Sequence, residues 1–162
     1  DPRKECRDRI RDGLQRLNRI EATVTYPFLL KVYALNDAKR VAQDPDAQAA
    51  AADATSVIDE CRTIMARNFD LMYEAAAAGT QLPIEQRIKM RYDASLVAPK
   101  CASAINELFI YSGAQGIYKS HPINKAWLDI NAGRTHVANN VGKFGRNWGS
   151  CMFGAENEDF FL

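Results

Sequence analysis

The sequence lacks any uninterrupted apolar run of about 18 residues, the length a membrane-spanning helix needs. It also lacks an excess of either charge. Lys and Arg number 21 against 20 Asp and Glu, a formal net charge of +1. Nothing electrostatic therefore draws the chain to nucleic acid or to an anionic membrane. No secretory leader opens the sequence, which starts Asp1-Pro2-Arg3 without methionine and reads as a processed piece or an excised domain. Cysteine is sparse and dispersed: Cys6, Cys61, Cys101 and Cys151 form no Cys-x-x-Cys pair, and histidine occurs only twice. A zinc site or a dithiol redox pair is thus unexpected, and no metal is assigned. Free thiols in a reducing cytoplasm are the default, with a disulfide as the minor alternative. Strand-like alternation and internal repeats are missing as well.

What remains is helical periodicity with few breaks. Apolar residues make up 47% and charged residues 25%, the balance of a globular domain able to bury a core. Residues 3 to 24 carry a weak apolar stripe; Pro27 interrupts, and helix resumes to about 43. Asp44-Pro45 is a stop followed by a start, the aspartate as cap and the proline in the first turn. From 46 to 78, an alanine run leads into Val57, Cys61, Ile64, Met65, Asn68 and Met72 at three- and four-residue steps, one buried face. Gly79 fits a left-handed cap. The next helix, about 83 to 111, presents Ile84, Ile88, Leu96, Cys101, Ile105, Leu108 and Phe109 to the core, and Pro99 inside it predicts a kink. Ser112 to Gly116 breaks this helix, and Pro122 introduces a last one, about 123 to 150. Long helices with short turns predict an all-α antiparallel four-helix bundle, one domain over 1–162.

On a wheel of about 100° per residue, Trp127, Ile130, Val137, Ala138 and Val141 of the last helix share one side; Asp129, His136, Asn140 and Lys143 share the other. The second side is either a solvated face or, with Ala132 and Gly133 beside His136, a gap for a flat ligand. Arg87 and Arg91 lie one helical turn apart and suit either a solvated face or a forked grip on phosphate. Trp127 reads as core, Trp148 as core or subunit interface, and His121 as a loop residue. The apolar end Phe160-Phe161-Leu162 predicts docking on this bundle or a neighbouring one.

One ordered set of residues resembles a known pattern: Tyr111-Ser112-Gly113-Ala114-Gln115-Gly116-Ile117-Tyr118, then His121-Pro122-Ile123, then Trp127 to His136. It is similar to the C-terminal domain of class D flavin-dependent monooxygenases, which share the acyl-CoA dehydrogenase fold. The similarity is strongest over 83 to 145, vaguer from 45 to 82 and nearly absent before 26. Dehydrogenases of the same fold commonly place a catalytic glutamate just past the Asp-containing segment, though some carry it on another helix. Here that stretch reads His136-Val137-Ala138-Asn139-Asn140, and no glutamate lies between Leu108 and Ala155. Removing the proton beside a thioester carbonyl needs a carboxylate base, so oxygenase chemistry is favoured over dehydrogenation.

The resemblance implies a reduced flavin, FMN or FAD, supplied by a separate flavin reductase, and a small aromatic or related organic substrate hydroxylated with O2. It implies that His136 is the catalytic imidazole, that Ser112, Gly113 and Ala114 meet the flavin phosphate, and that the bundles assemble as a tetramer. It also implies that further domains complete the pocket, so the 162 residues alone are expected to be inactive. An acyl-CoA dehydrogenase-like oxidoreductase and a non-catalytic assembly module are the alternatives. The dispersed cysteines make one consequence testable: dialysis against a chelator should leave the thermal unfolding midpoint unchanged, whereas a drop of several degrees would reveal a structural metal.

Overall fold

A computed structural model describes residues 43–160 and 162; the two expected helices before residue 43, and Cys6, lie outside the described residues. The described residues are helical, without strands: α1 (Pro45–Ala78), α2 (Ile84–Tyr111), α3 (Pro122–Gly133) and α4 (Val141–Met152). Short 3-10 turns occupy Gly113–Ile117 and Val137–Asn139. None of these helices is long and apolar enough to cross a membrane, and no group of His, Cys, Asp or Glu among the described residues gathers for a metal.

The start and stop signals of α1 act as their chemistry dictates. The Asp44 carboxylate accepts from the Asp46 and Ala47 amides at 2.9 and 3.2 Å, satisfying donors that the first turn leaves open. Gly79 adopts φ 69°, and its amide and that of Thr80 reach back to the carbonyls of Ala76 and Ala75. The chain then reverses, and α2 runs antiparallel to α1. Lys100 meets Glu60 at 2.9 Å. At the far end, lost hydration and then the carboxylates of Asp46 and Asp44 raise the Tyr111 phenol above its ordinary value. Pro99 sits inside α2 without ending it.

Alanine decides the spacing of this hairpin. Ala47 and Ala54 on α1, with Ala98 and Ala102 on α2, are buried, so the backbones approach closely where larger residues would hold them apart. Ala54 joins Ile105, Leu108 and Ile123 in the main core cluster, against which Phe109, Trp127 and Ile130 pack. Of the face expected on α1, Cys61 and Asn68 are buried, whereas Met72 is 41% exposed. Asn68 is buried because it serves Asp93, which is 7% exposed and accepts from Asn68, Arg67 and Lys89 at 2.8 to 3.2 Å. Trp148 packs on Tyr92 with ring centroids 5.0 Å apart, and a Cβ on Gly145 would come within 3.1 Å of that tyrosine ring.

The single last helix expected over 123 to 150 is instead two helices. α3 ends at Gly133 because side chains compete for the backbone beyond it. Thr135 Oγ1 donates to the Ala132 carbonyl at 2.8 Å, and Asn139 Nδ2 to that of Gly133 at 2.8 Å. Asn140 Oδ1 accepts from the Lys143 amide and caps α4. The wheel drawn through 137 to 143 therefore fails: Val137, assigned to the core side, is 70% exposed.

The chain end docks, but through polar groups. Asn147 holds Asn157 and the Glu158 amide at 2.9 and 2.8 Å, and Asp159 is buried beside Arg91. Phe160 remains 91% exposed, while Leu162 is half-buried. Cys61, Cys101 and Cys151 are free thiols.

Two substitutions separate the core from the polar tie. Ile123→Ala, at a side chain 1% exposed, should cost about 3 kcal/mol by urea unfolding. Asp93→Ala should cost less, about 2 kcal/mol, because the side chains of Arg67 and Lys89 keep 53% and 43% of their exposure and rehydrate once freed. Equal losses would mean the tie is buried more deeply than its cations indicate.

Candidate functional site

His136 sits in the seven-residue connection between α3 and α4, fully outside either helix, and is exposed. Its Nδ1 accepts from the Ala138 amide at 3.1 Å. A nitrogen that accepts carries no proton, so the neutral ring bears its proton on Nε2 and presents an N–H donor away from the turn. The imidazole is thus oriented by its own backbone. Gly133, expected to permit a close approach, closes α3, and a Cβ there would meet nothing within 4 Å of its own chain. The neighbouring residue Val137 is 70% exposed, so the surface next to His136 is open and partly apolar.

The Ser112-Gly113-Ala114 turn stands at the opposite end of α3. A 12-residue helix separates the two places by about 18 Å at roughly 1.5 Å per residue. Ser112 Oγ donates to the Phe109 carbonyl at 2.7 Å, which spends its proton inside the turn and leaves the oxygen as an acceptor. Gly113 takes φ 61°, and Gly113 and Ala114 are exposed. A Cβ on Gly116 would strike the Ser112 hydroxyl, so Gly116 is the glycine this turn requires sterically. Asn124, buried, fixes the turn from α3 by donating to the carbonyls of Gly116 and Ile117 at 3.2 and 3.1 Å. His121 caps α3 through Nδ1 on the Ile123 amide at 3.4 Å, so it is half-buried rather than a free loop side chain.

Arg87 and Arg91 lie near the other end of α2, about 30 Å along the helix from Ser112. Arg91 is committed within the chain: its Nε stands 3.4 Å from Asp159 Oδ2, and its guanidinium lies 4.2 Å above the Phe144 ring. Both arginines line a cleft between α1 and α2. The structure thus places the sequence-expected residues at three separate positions: His136, the Ser112-Gly113-Ala114 turn, and Arg87 with Arg91. Sequence reasoning missed the polar frame beneath His136. Asn106 Oδ1 accepts from Trp127 Nε1 at 2.7 Å and from Asn131 at 3.4 Å, joining α2 to α3. The adjacent asparagines 139 and 140 were the available signal, since asparagine at such a spacing marks turns and caps.

What this arrangement can do alone is limited and specific. It offers one oriented neutral donor on an open surface, and at a distance a glycine turn with an acceptor hydroxyl. Among the described residues no carboxylate is hydrogen-bonded to the imidazole to act as a strong base: Asp129, on α3, is exposed and bound to Lys125.

Similarity to known proteins agrees with this geometry. Residues 30–141 match the model of the acyl-CoA dehydrogenase C-terminal domain. The chain is 31% identical over 116 residues to the flavin-dependent monooxygenase oxygenase subunit HsaA of Rhodococcus jostii, covering 72% of this chain and 30% of that protein. Identity to its Mycobacterium tuberculosis namesake is 32% over 116 residues, 72% of this chain and 29% of the relative. The chain therefore spans about three tenths of these curated relatives. Among solved structures, the 3-HSA hydroxylase from Rhodococcus sp. RHA1 superposes with a TM-score of 0.74 at 28% identity, covering 88% of this chain and 39% of that one. XiaF from Streptomyces, solved with FADH2 and glycerol, shares the fold with a TM-score of 0.68 at 22% identity, over 74% of this chain and 30% of that one. With more than half of its length matched and its helices laid out alike, the chain belongs to the acyl-CoA dehydrogenase C-terminal domain family.

Proposed function

We propose that this chain is the flavin-facing, assembly-forming helical part of a two-component flavin-dependent monooxygenase that hydroxylates an aromatic or related organic substrate. The observation that carries this reading is the His136 turn: an oriented Nε2–H donor stands where dehydrogenases of the fold commonly hold a carboxylate base, and no glutamate occurs between Leu108 and Ala155. The names of the relatives, oxygenase subunits of flavin-dependent monooxygenases, support it.

A bound reduced flavin, FMN or FAD, supplies the activation of oxygen. His136 donates from Nε2 to an oxygen atom of ligand or substrate and holds it in line. Val137 adjoins it as exposed apolar surface, which excludes water once a neighbouring domain or copy covers it. The Ser112-Gly113-Ala114 turn, at the far end of α3, serves the phosphate of a flavin seated mainly on a neighbouring copy through its backbone amides, since the Ser112 hydroxyl proton is given to Phe109. A homo-oligomer, a tetramer in this proposal, is supported by exposed Ile110, Met152 and Phe153, at 67%, 68% and 93%. A reductase partner delivers the flavin, and free Cys61, Cys101 and Cys151 suit a reducing cytoplasm.

The test uses the oxygenase that carries this domain, given reduced flavin, O2 and candidate phenols. Incorporation of label from 18O2 into product is expected; reduction of a dye by an acyl-CoA thioester without oxygen uptake would favour the dehydrogenase alternative. His136→Ala should lower hydroxylation about a hundredfold, while hydrogen peroxide release per flavin oxidised rises. His136→Asn, which keeps an N–H donor, should recover part of the yield. Unchanged product yield in His136→Ala would remove the residue from the chemistry.

A further inference from the structure

The cleft between α1 and α2 is separate from His136 and from the glycine turn. Its volume is about 590 Å3, within the range of roughly 300 to 1,000 Å3 typical of small-molecule sites. Its walls are apolar and adaptable, with Met65, Phe69, Met72 and Met90 from the two helices and Leu162 from the docked tail. Among the described residues no acidic side chain lines it.

Two guanidiniums stand in this apolar wall, and only one has a counter-charge. Arg91 has Asp159 at 3.4 Å. Arg87 Nε is buried yet has no hydrogen-bond partner among the described residues. Arg91 Nε is buried without a hydrogen bond as well, but it has the Asp159 carboxylate nearby, so the half-buried Arg87 is the guanidinium in this wall with room for an anionic acceptor. The remaining charge is a single positive one, and the space beside it is hydrophobic. A phosphate dianion fits such walls badly, because its other oxygens would lose water without donors in return. One carboxylate on a hydrocarbon or ring body meets both requirements.

We propose that this cleft binds an amphipathic organic monoanion, its carboxylate on Arg87 and its apolar body against Met65, Phe69 and Met72. The charge-assisted hydrogen bond fixes the head, and burial of the body supplies the remaining affinity. The site lies on the opposite end of α2 from the flavin seat proposed above and does not depend on it.

Decanoate and 1-decanol, titrated calorimetrically into the full chain, separate head from body. Decanoate should bind at one site per chain, and Arg87→Gln should weaken it about tenfold or more while changing decanol binding less than twofold. Ala94→Trp, which fills the wall, should abolish both; circular dichroism checks that each variant is folded, and if Ala94→Trp unfolds, Met90→Trp replaces it. Three results would overturn the inference: no decanoate binding, as expected if a protein segment already covers the cleft; equal loss of both probes in Arg87→Gln; or displacement of decanoate by FMN, which would assign the arginines to flavin phosphate.

Discussion

One hydrogen bond sets the character of this domain: the Ala138 amide donates to His136 Nδ1 at 3.1 Å. It does two things at once. It caps a 3-10 turn that splits a continuous helix into α3 and α4, and it fixes which imidazole nitrogen carries the proton. Had the helix continued, His136 would lie on a helical face with its tautomer free and its direction set by packing. The break instead lifts the ring onto an exposed turn, and Thr135, Asn139 and Asn140 hold that turn by returning the backbone groups the helix gave up.

The turn needs a rigid support, and α2 provides it. Every other described helix packs on α2: α1 through the alanine face and the Asp93 tie, α3 through Ile105, Leu108 and the Asn106–Trp127 bond, α4 through Tyr92 and Trp148. Hydrogen bonds of this type contribute only about 1 kcal/mol each. Their value here is positional, because they fix the register of α3 on α2 and hence where its C-terminal end delivers His136. The tail adds a second polar clamp, Asn147 to Asn157, that seats Asp159 against Arg91.

Much of this was legible in the sequence, for physical reasons that differ by element. Asp44-Pro45 and Gly79 marked the ends of α1 to within a residue, since capping chemistry is local. The α2 core positions Ile88, Ile105 and Leu108 followed from helical period. The buried alanines Ala47, Ala54, Ala98 and Ala102 were not legible as core, because a small side chain gives no hydrophobic signal until a partner helix is placed against it. The break at 134–140 was hidden because its residues tolerate a helix individually; only their joint hydrogen bonding to the backbone ends it. The partner of Arg91 was beyond reach, since Asp159 is 68 positions later in the chain and nothing local announces their meeting.

The most direct test of the central claim is the long-range proton–nitrogen NMR spectrum of the histidine side chains, recorded as reduced flavin is added anaerobically to the oxygenase carrying this domain. His136 should show the Nε2–H tautomer from the start and shift with flavin. A His136 ring protonated on Nδ1, or one that ignores the flavin, would contradict the assignment of this turn to the cofactor.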